Sequence, residues 1–387
     1  MKILSITDSC STGGAAIAGK RISEALRTNG AKVIQLSSDG KNTNDQRVLS
    51  NGKKFSALRN LFSPLFSAQK AKSLRDNNLN HQFRKFLQQE RFDTINIHNL
   101  HSAGWSITLV GTALEFAPVV WTLHDCWSFL GSYYPTHCSA PSDSHKLAFK
   151  NFWRSIECQT TKHSLKAVTP SHWMNEQASS SHWKGCEVLT IRNPVPKTFF
   201  VGLERESCKK ALGLSLEQPT VLCIAGNLNE ERKGGPILKE ILASDAKDHC
   251  QFLLIGKGNG FDNPKIRSLG ILQDELTLRI AYNAADVLLH PAQIDNLPNT
   301  VAESMSCGTP VLAFDSGGLP EMVVPEKSGW LVRDMNANSI IKKLNSVLQT
   351  KATNELRQST KEIAQKLFDE RKVADDYIEA FNFPVCQ

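Results

Sequence analysis

The chain has 387 residues, 41% of them hydrophobic and 21% charged, and carries a formal net charge of +7 with an isoelectric point near 8.8. No apolar run reaches the roughly 18 residues that a membrane-spanning helix needs, so such a helix is excluded and the length suits two globular domains of typical size. The basic balance fits anionic partners without choosing among nucleotide, nucleic acid and membrane surface.

The opening MKILSITDSCSTGG turns polar after six residues, so a secretory leader is not expected and residence in the cytoplasm is. KILSIT (2–7) reads as a strand. Gly13-Gly14 follow it, ahead of a helix predicted from about Ala15 to Thr28 and closed by Gly30. A glycine pair in such a loop lets backbone approach a phosphate or sugar closely, but the pattern is not G-x-G-x-x-G, so a nicotinamide fingerprint is absent. KVIQLSS (32–38) is the next strand. The stretch KKFSALRNLFSPLFSAQKAKSLR (53–75) then interleaves the cations Lys53, Lys54, Arg59, Lys70, Lys72 and Arg75 with large apolar residues and contains no acid. Two readings stand for it: a segment lying in the interface of an anionic bilayer, or a cover for the chain's own sheet with its cations solvated. TINIHNL (94–100), VVWTLHD (119–125), KAVTPS (166–171) and VLTIRN (188–193) complete an alternating α/β series.

His124 ends the apolar run VVWTL, hence the carboxyl end of a strand, where ligands bind in such folds; the plain alternative is a satisfied core histidine. His124, Cys126, His137, Cys138, His145 and Cys158 share one stretch, yet their spacing fits no compact zinc pattern, so no metal is expected. The ten cysteines include no C-x-x-C and are expected to be reduced, several packing as small hydrophobes.

Asn193-Pro194-Val195-Pro196 stops both helix and strand and marks the boundary between residues 1–193 and a second series: TVLCIAGN (220–227), QFLLIG (251–256), DVLLHP (286–291), PVLAFD (310–315) and GWLV (329–332). The predicted second domain covers 194–365. A last helix, 366–387, carries Val373, Tyr377, Ile378, Phe381 and Phe383 on an apolar stripe and is expected to cross back to the first domain. Two doubly wound domains facing across a cleft is the economical fold, with the ligand in the cleft. Within the second series, GNLNEERKGG sets Arg232 and Lys233 just after a strand, GKGNG (256–260) is a strand-end loop, and IDNLPNTVAESMSCGTPVL places Asp295 in a loop and Glu303 in the helix that follows. By themselves these two acids read as a solvated loop carboxylate and a helix-surface glutamate.

The string HPAQIDNLPNTVAESMSCGTPVLAFDSGGLPEMV, with RKGG at 232–235, GKG at 256–258 and SGWLV at 328–332, resembles the C-terminal half of glycosyltransferase family 4. VVWTLHDCWSF and Gly13-Gly14 resemble its N-terminal half, in the branch that builds exopolysaccharides such as colanic acid. The resemblance implies the GT-B fold and a retaining transfer of sugar from a nucleotide-sugar donor, used as substrate with no cofactor. It implies that Glu303 holds the ribose, that Asp295 and His124 meet the donor sugar's hydroxyls, and that Lys233 with Arg232 neutralises the diphosphate. The same phosphates would lie on the amides of Leu297, Asn299 and Thr300. The family more often has Glu at position 295 and Arg at position 227, where this chain has Asp295 and Asn227. The expected partners are the donor, a lipid-linked or oligosaccharide acceptor and an anionic membrane surface, with no nucleic acid. The competing expectations are a catalytically degenerate nucleotide-sugar-binding subunit and a GT-B epimerase.

Overall fold

The computed structural model describes residues 1–49, 68–131, 134, 143–158, 163–259, 265–272, 274–350 and 353–383. Two parallel sheets account for the strands among them. The first contains β1 (Lys2–Ile6), β2 (Lys32–Ser37), β3 (Gln46–Val48), β4 (Thr94–Ile97), β5 (Val119–Thr122), β6 (Leu165–Thr169) and β7 (Glu187–Thr190) in the order β3-β2-β1-β4-β5-β6-β7. The second contains β8 (Thr220–Asn227), β9 (Gln251–Lys257), β10 (Ile266–Ser268), β11 (Val287–His290), β12 (Val311–Phe314) and β13 (Gly329–Val332) in the order β10-β9-β8-β11-β12-β13. Each sheet is doubly wound: its strand order reverses between β1 and β4, or between β8 and β11. At such a switch point the loops leaving the two central strands diverge and open a crevice beyond their carboxyl ends.

The sequence makes the second sheet two-faced through the period of two along its strands. Leu222, Leu253, Leu288, Val311 and Ala313 join one core cluster with Tyr282, Val301, Met305 and Phe368 from the covering helices. Their neighbours Val221, Phe252, Leu254, Leu289, Leu312 and Phe314 join another with Ile237, Ile241, Leu344 and Val347. Burying both faces is what turns these strands into near-continuous apolar runs. The edge strands β3 (QRV) and β10 (IRS) escape the sequence reading because each is three residues long and has only one apolar side chain.

The chain divides into two compact units, Met1–Asn193 with Arg371–Gln387, and Pro194–Glu370. In the first, Val373, Tyr377, Ala380 and Phe381 of the last helix, Glu370–Ala380, and its end pack on Ile3, Val33, Val120, Val168 and Ile191, with Ile22 and Leu26 of the helix Gly14–Thr28 beside them. The Tyr377 hydroxyl lies 3.1 Å from Thr122 Oγ1, and Lys166 Nζ donates to the Asn382 carbonyl at 3.1 Å. The basic stretch 53–75 lies outside the described residues apart from its end, where Leu74 is exposed and Arg75 donates to the Gly104 carbonyl at 2.6 Å.

Candidate active site

In the second unit, the loops after β8 and β11 leave the switch point side by side. The first carries Arg232, Lys233, Gly234 and Gly235 into the helix Gly235–Ala243. The second carries Asp295 to the helix Asn299–Ser306, whose preceding residue is Pro298. Gly234 has φ +78° and a Cβ there would stand 2.0 Å from the Pro291 carbonyl oxygen, so only glycine allows the lysine turn to lie on the β11 loop. Gln293 N donates to the Arg232 carbonyl at 3.2 Å and closes that seam. From the other side, Gly318 N donates to the Asp295 carbonyl at 2.9 Å, and Gly317, φ +60°, would drive a Cβ to 2.1 Å from the same oxygen. The Gly-Gly turn of SGGLPE thus backs the acidic loop as the Gly-Gly of RKGG braces the basic one.

These braces bring Lys233 Nζ to 2.5 Å from Asp295 Oδ2, with His290 Nε2 3.5 Å from the same oxygen. Burial alone pushes the Asp295 carboxyl up, but the Lys233 ammonium, His290 and Arg232 together outweigh it and hold Asp295 well below the usual carboxylate range. Burial lowers His290, with Asp295 opposing. Asn296 N also donates to Asp295 Oδ1 at 3.0 Å. Arg232 turns to Glu230 Oε1 at 3.0 Å. Asn227, at the end of β8, accepts the Asn229 amide on its side-chain oxygen at 3.0 Å, so its carbonyl end is folded into its own turn.

Glu303 is not the surface glutamate that spacing alone suggests. It is 5% exposed, and its Oε2 accepts the Tyr282 hydroxyl at 2.8 Å. Tyr282 itself is fully buried, so the hydroxyl offers a fixed donor that orients the carboxylate. At the start of the same helix the first internal hydrogen bond runs from Val301 N to the Pro298 carbonyl at 3.1 Å, which places the Asn299 and Thr300 amides ahead of it. Leu297 is buried. The sequence reading missed His290 and Tyr282. His290 was legible as a polar residue closing the apolar strand VLLH, whereas Tyr282 sits on a different helix, 21 residues from its partner.

In the first unit, Gly13 (φ +97°) caps the helix Gly14–Thr28 without a side-chain cap, in the loop after β1. Beyond β4 and β5, His98 Nδ1 lies 3.0 Å from His124 Nε2 and the two rings stack at 5.3 Å between centroids. Burial lowers both rings, His124 to about 4, and the neighbouring His124 lowers His98 further. His101 Nε2 lies 3.4 Å from Asp125 Oδ2, and its ring stands 5.4 Å from that of Trp127; burial pushes it down to about 4, with Asp8 opposing. Sequence reasoning singled out His124 alone, although His98 closes TINIH just as His124 closes its own strand run. Among the described residues no group of three His, Cys, Asp or Glu side chains could hold a metal ion; His137, Cys138 and the His145 side chain of the earlier cluster lie outside them. No helix among the described residues is long and apolar enough to cross a membrane.

The family model for glycosyltransferase family 4 matches residues 12–198, and that for glycosyl transferases group 1 matches residues 218–350. A GDP-mannose-dependent alpha-mannosyltransferase of Mycolicibacterium smegmatis is 33% identical over 93 residues, 22% of this chain; the chain spans about a quarter, 24%, of that relative. Among solved structures, sucrose-phosphate synthase of Thermosynechococcus elongatus superposes with a TM-score of 0.75 at 19% identity, covering 98% of both chains. The HepE protein of Anabaena, in complex with UDP and glucose, gives 0.69 at 17% identity over 98% of this chain and 99% of its own. Two family models that between them reach from residue 12 to residue 350, laid over two doubly wound parallel sheets, place this chain in the GT-B glycosyltransferases of group 1 and family 4.

Proposed function

We propose that the chain is a retaining glycosyltransferase that moves a sugar from a nucleotide-sugar donor to a lipid-linked or oligosaccharide acceptor in surface-polysaccharide assembly. The observation that carries this reading is the Lys233–Asp295 pair at the second unit's switch point, with the oriented carboxylate of Glu303 one turn into the adjoining helix. Each group then has a task that its chemistry suits. Glu303, an acceptor-only carboxylate, takes the paired ribose hydroxyls. Asp295 takes hydroxyls of the donor sugar. Lys233 and Arg232, with the amides of Leu297, Asn299 and Thr300, face the diphosphate, whose charge grows as the glycosidic bond breaks, so fixed donors there stabilise the transition state more than the ground state. The departing phosphate accepts the acceptor's proton on the same face. Gly13 and Gly14 let the first unit's backbone approach the donor, and His124 meets a sugar hydroxyl. The Anabaena neighbour's UDP and glucose support a nucleoside diphosphate sugar as the donor class.

Because two cations and the helix amides face the leaving group, no divalent metal or cofactor is required on this reading, and turnover is expected to survive EDTA. Loss of turnover that manganese or magnesium restores would contradict it. The exopolysaccharide branch rests on VVWTLHDCWSF, and attachment to an anionic membrane rests on residues 53–75. For the latter, binding to anionic vesicles should fall with added salt and on replacing Lys53, Lys54 and Arg59 with Ser.

The central test is a titration with UDP, GDP and ADP by calorimetry, followed by an assay of nucleoside diphosphate release from the matching sugar donor. Transfer requires release that depends on added acceptor. Asn227, exposed at the end of β8 with its side-chain oxygen tied to its own turn where the family more often has Arg, favours one second reading, a nucleotide-sugar-binding subunit, and binding without acceptor-dependent release would select it.

A further inference from the structure

His98 and His124 follow the ends of neighbouring strands β4 and β5, and the 3.0 Å contact between His98 Nδ1 and His124 Nε2 needs one N–H and one lone pair. Two neutral arrangements satisfy it. If His124 donated from Nε2, His98 would accept on Nδ1 and carry its own proton on Nε2. His98 Nε2 is buried and has no hydrogen-bond partner among the described residues, so that arrangement strands a donor in the interior, the costlier fault. The opposite arrangement puts the His98 proton on Nδ1, inside the hydrogen bond, and leaves only a lone pair on the unpartnered His98 Nε2.

The surroundings fix the His98 ring in place. Trp121 Nε1 donates to the His98 carbonyl at 3.0 Å, and Gly19 of the first helix leaves the space that the ring fills, since a Cβ there would stand 3.0 Å from His98 Cδ2 and 2.8 Å from Thr7 Cγ2. Burial keeps both rings neutral near pH 7, so the hydrogen bond between them joins two neutral imidazoles.

We propose that His98 is the positioning residue of His124: its Nδ1–H donates to His124 Nε2, fixing His124 as the Nδ1–H tautomer, which donates a hydrogen bond from Nδ1 and takes no proton. The tautomer follows from this geometry alone; its use, donation to a lone pair of a sugar hydroxyl, rests on the transferase reading given above. On that reading His124 is a recognition group and not a general base.

The experiment is a long-range proton–nitrogen correlation on the full chain labelled with nitrogen-15 histidine at neutral pH, with the His124 pattern identified by its loss in His124→Asn. The expected result is a protonated, pyrrole-type Nδ1 and a bare, pyridine-type Nε2. The reverse pattern, or signals averaged between tautomers, overturns the proposal. Two variants test positioning. His98→Asn keeps an N–H donor close to the place of Nδ1 and should preserve the His124 pattern and turnover. His98→Leu removes the donor and should release His124 into a tautomer mixture, with turnover falling about tenfold, the loss of one hydrogen bond. Full turnover in His98→Leu would end the positioning role. Should no donor be turned over by the wild-type chain, the transferase reading fails, while the nitrogen shifts still decide the tautomer.

Discussion

Lys233 and Asp295 are an unequal pair: the lysine side chain keeps 23% of its exposure and the aspartate 7%. Lys233→Ala leaves a carboxylate in the interior with its main countercharge gone, whereas Asp295→Ala leaves an ammonium that can turn to water. Breaking a buried pair by removing one partner costs about 3 kcal/mol or more, so Lys233→Ala should approach that loss and Asp295→Ala fall clearly short of it in urea unfolding. Equal losses would contradict the assigned burial. Ligand binding separates the same loop from its helix. Glu303→Ala should weaken free nucleoside diphosphate and sugar donor alike, by roughly 1.5–3 kcal/mol, because the ribose is common to both. Asp295→Ala should spare the free nucleotide. Calorimetry that finds nucleoside diphosphate affinity unchanged in Glu303→Ala rejects the ribose role.

At the scale of the element, the site depends on loops pressed together more closely than a Cβ permits. Gly234 and Gly317 each combine a left-handed φ with a carbonyl oxygen at 2.0 or 2.1 Å from the ideal Cβ, and both oxygens belong to the loop bearing Asp295. Gly213 also has a left-handed φ, +67°, but open space around it. Gly213→Ala should therefore cost only the backbone term, about 1–2 kcal/mol, while Gly234→Ala and Gly317→Ala add the displacement of the Asp295 loop. The expected order in thermal unfolding is a small loss for Gly213→Ala and larger ones for the other two, with donor binding impaired only in those two. Similar losses at all three positions would show that the loops yield freely.

For the whole molecule, buried histidines set the acid limit. His101 and His124 fall from the usual 6.5 to about 4, and burial with the neighbouring His124 holds His98 well below 6.5 as well, so the unfolded chain binds protons that the folded chain refuses as pH falls below 6.5. Stability is then full above the unfolded value and is lost as pH falls toward the folded one, at up to about 1.36 kcal/mol per pH unit for each group. Melting temperature should drop from about pH 7 to about pH 4.5, less steeply in His124→Asn; a flat profile, or one unchanged by the substitution, contradicts the neutral pair. The last helix belongs to the first unit's core. Truncation after Glu370 removes Val373, Tyr377 and Phe381 from contact with Ile3, Val33 and Val168, each large side chain contributing about 1.5–3 kcal/mol, and should leave the first unit unable to fold. Tyr377→Phe, which removes only the hydroxyl bond to Thr122, should cost about 1 kcal/mol in denaturant unfolding.

The sequence by itself determined the strands with long apolar runs, the proline break at 194–196 and the apolar stripe of the last helix, because each is a local pattern of side chains with a fixed period or a fixed backbone restriction. It also marked Lys233, Asp295 and Glu303, but only through the resemblance of the strings around them to glycosyltransferase family 4; by position alone the two acids read as a solvated loop carboxylate and a helix-surface glutamate. Tertiary structure alone decided what each of these residues touches. The edge strands QRV and IRS exist only because a neighbouring strand offers them a ladder, their own residues giving no alternation. Glu303 lies inside because Tyr282 supplies a buried donor from another helix, a pairing that burial and distance create and that no spacing along the chain records. The same holds for His98 and His124: 26 residues apart in sequence, they share a hydrogen bond because β4 and β5 run parallel as neighbours and end at the same edge of the sheet.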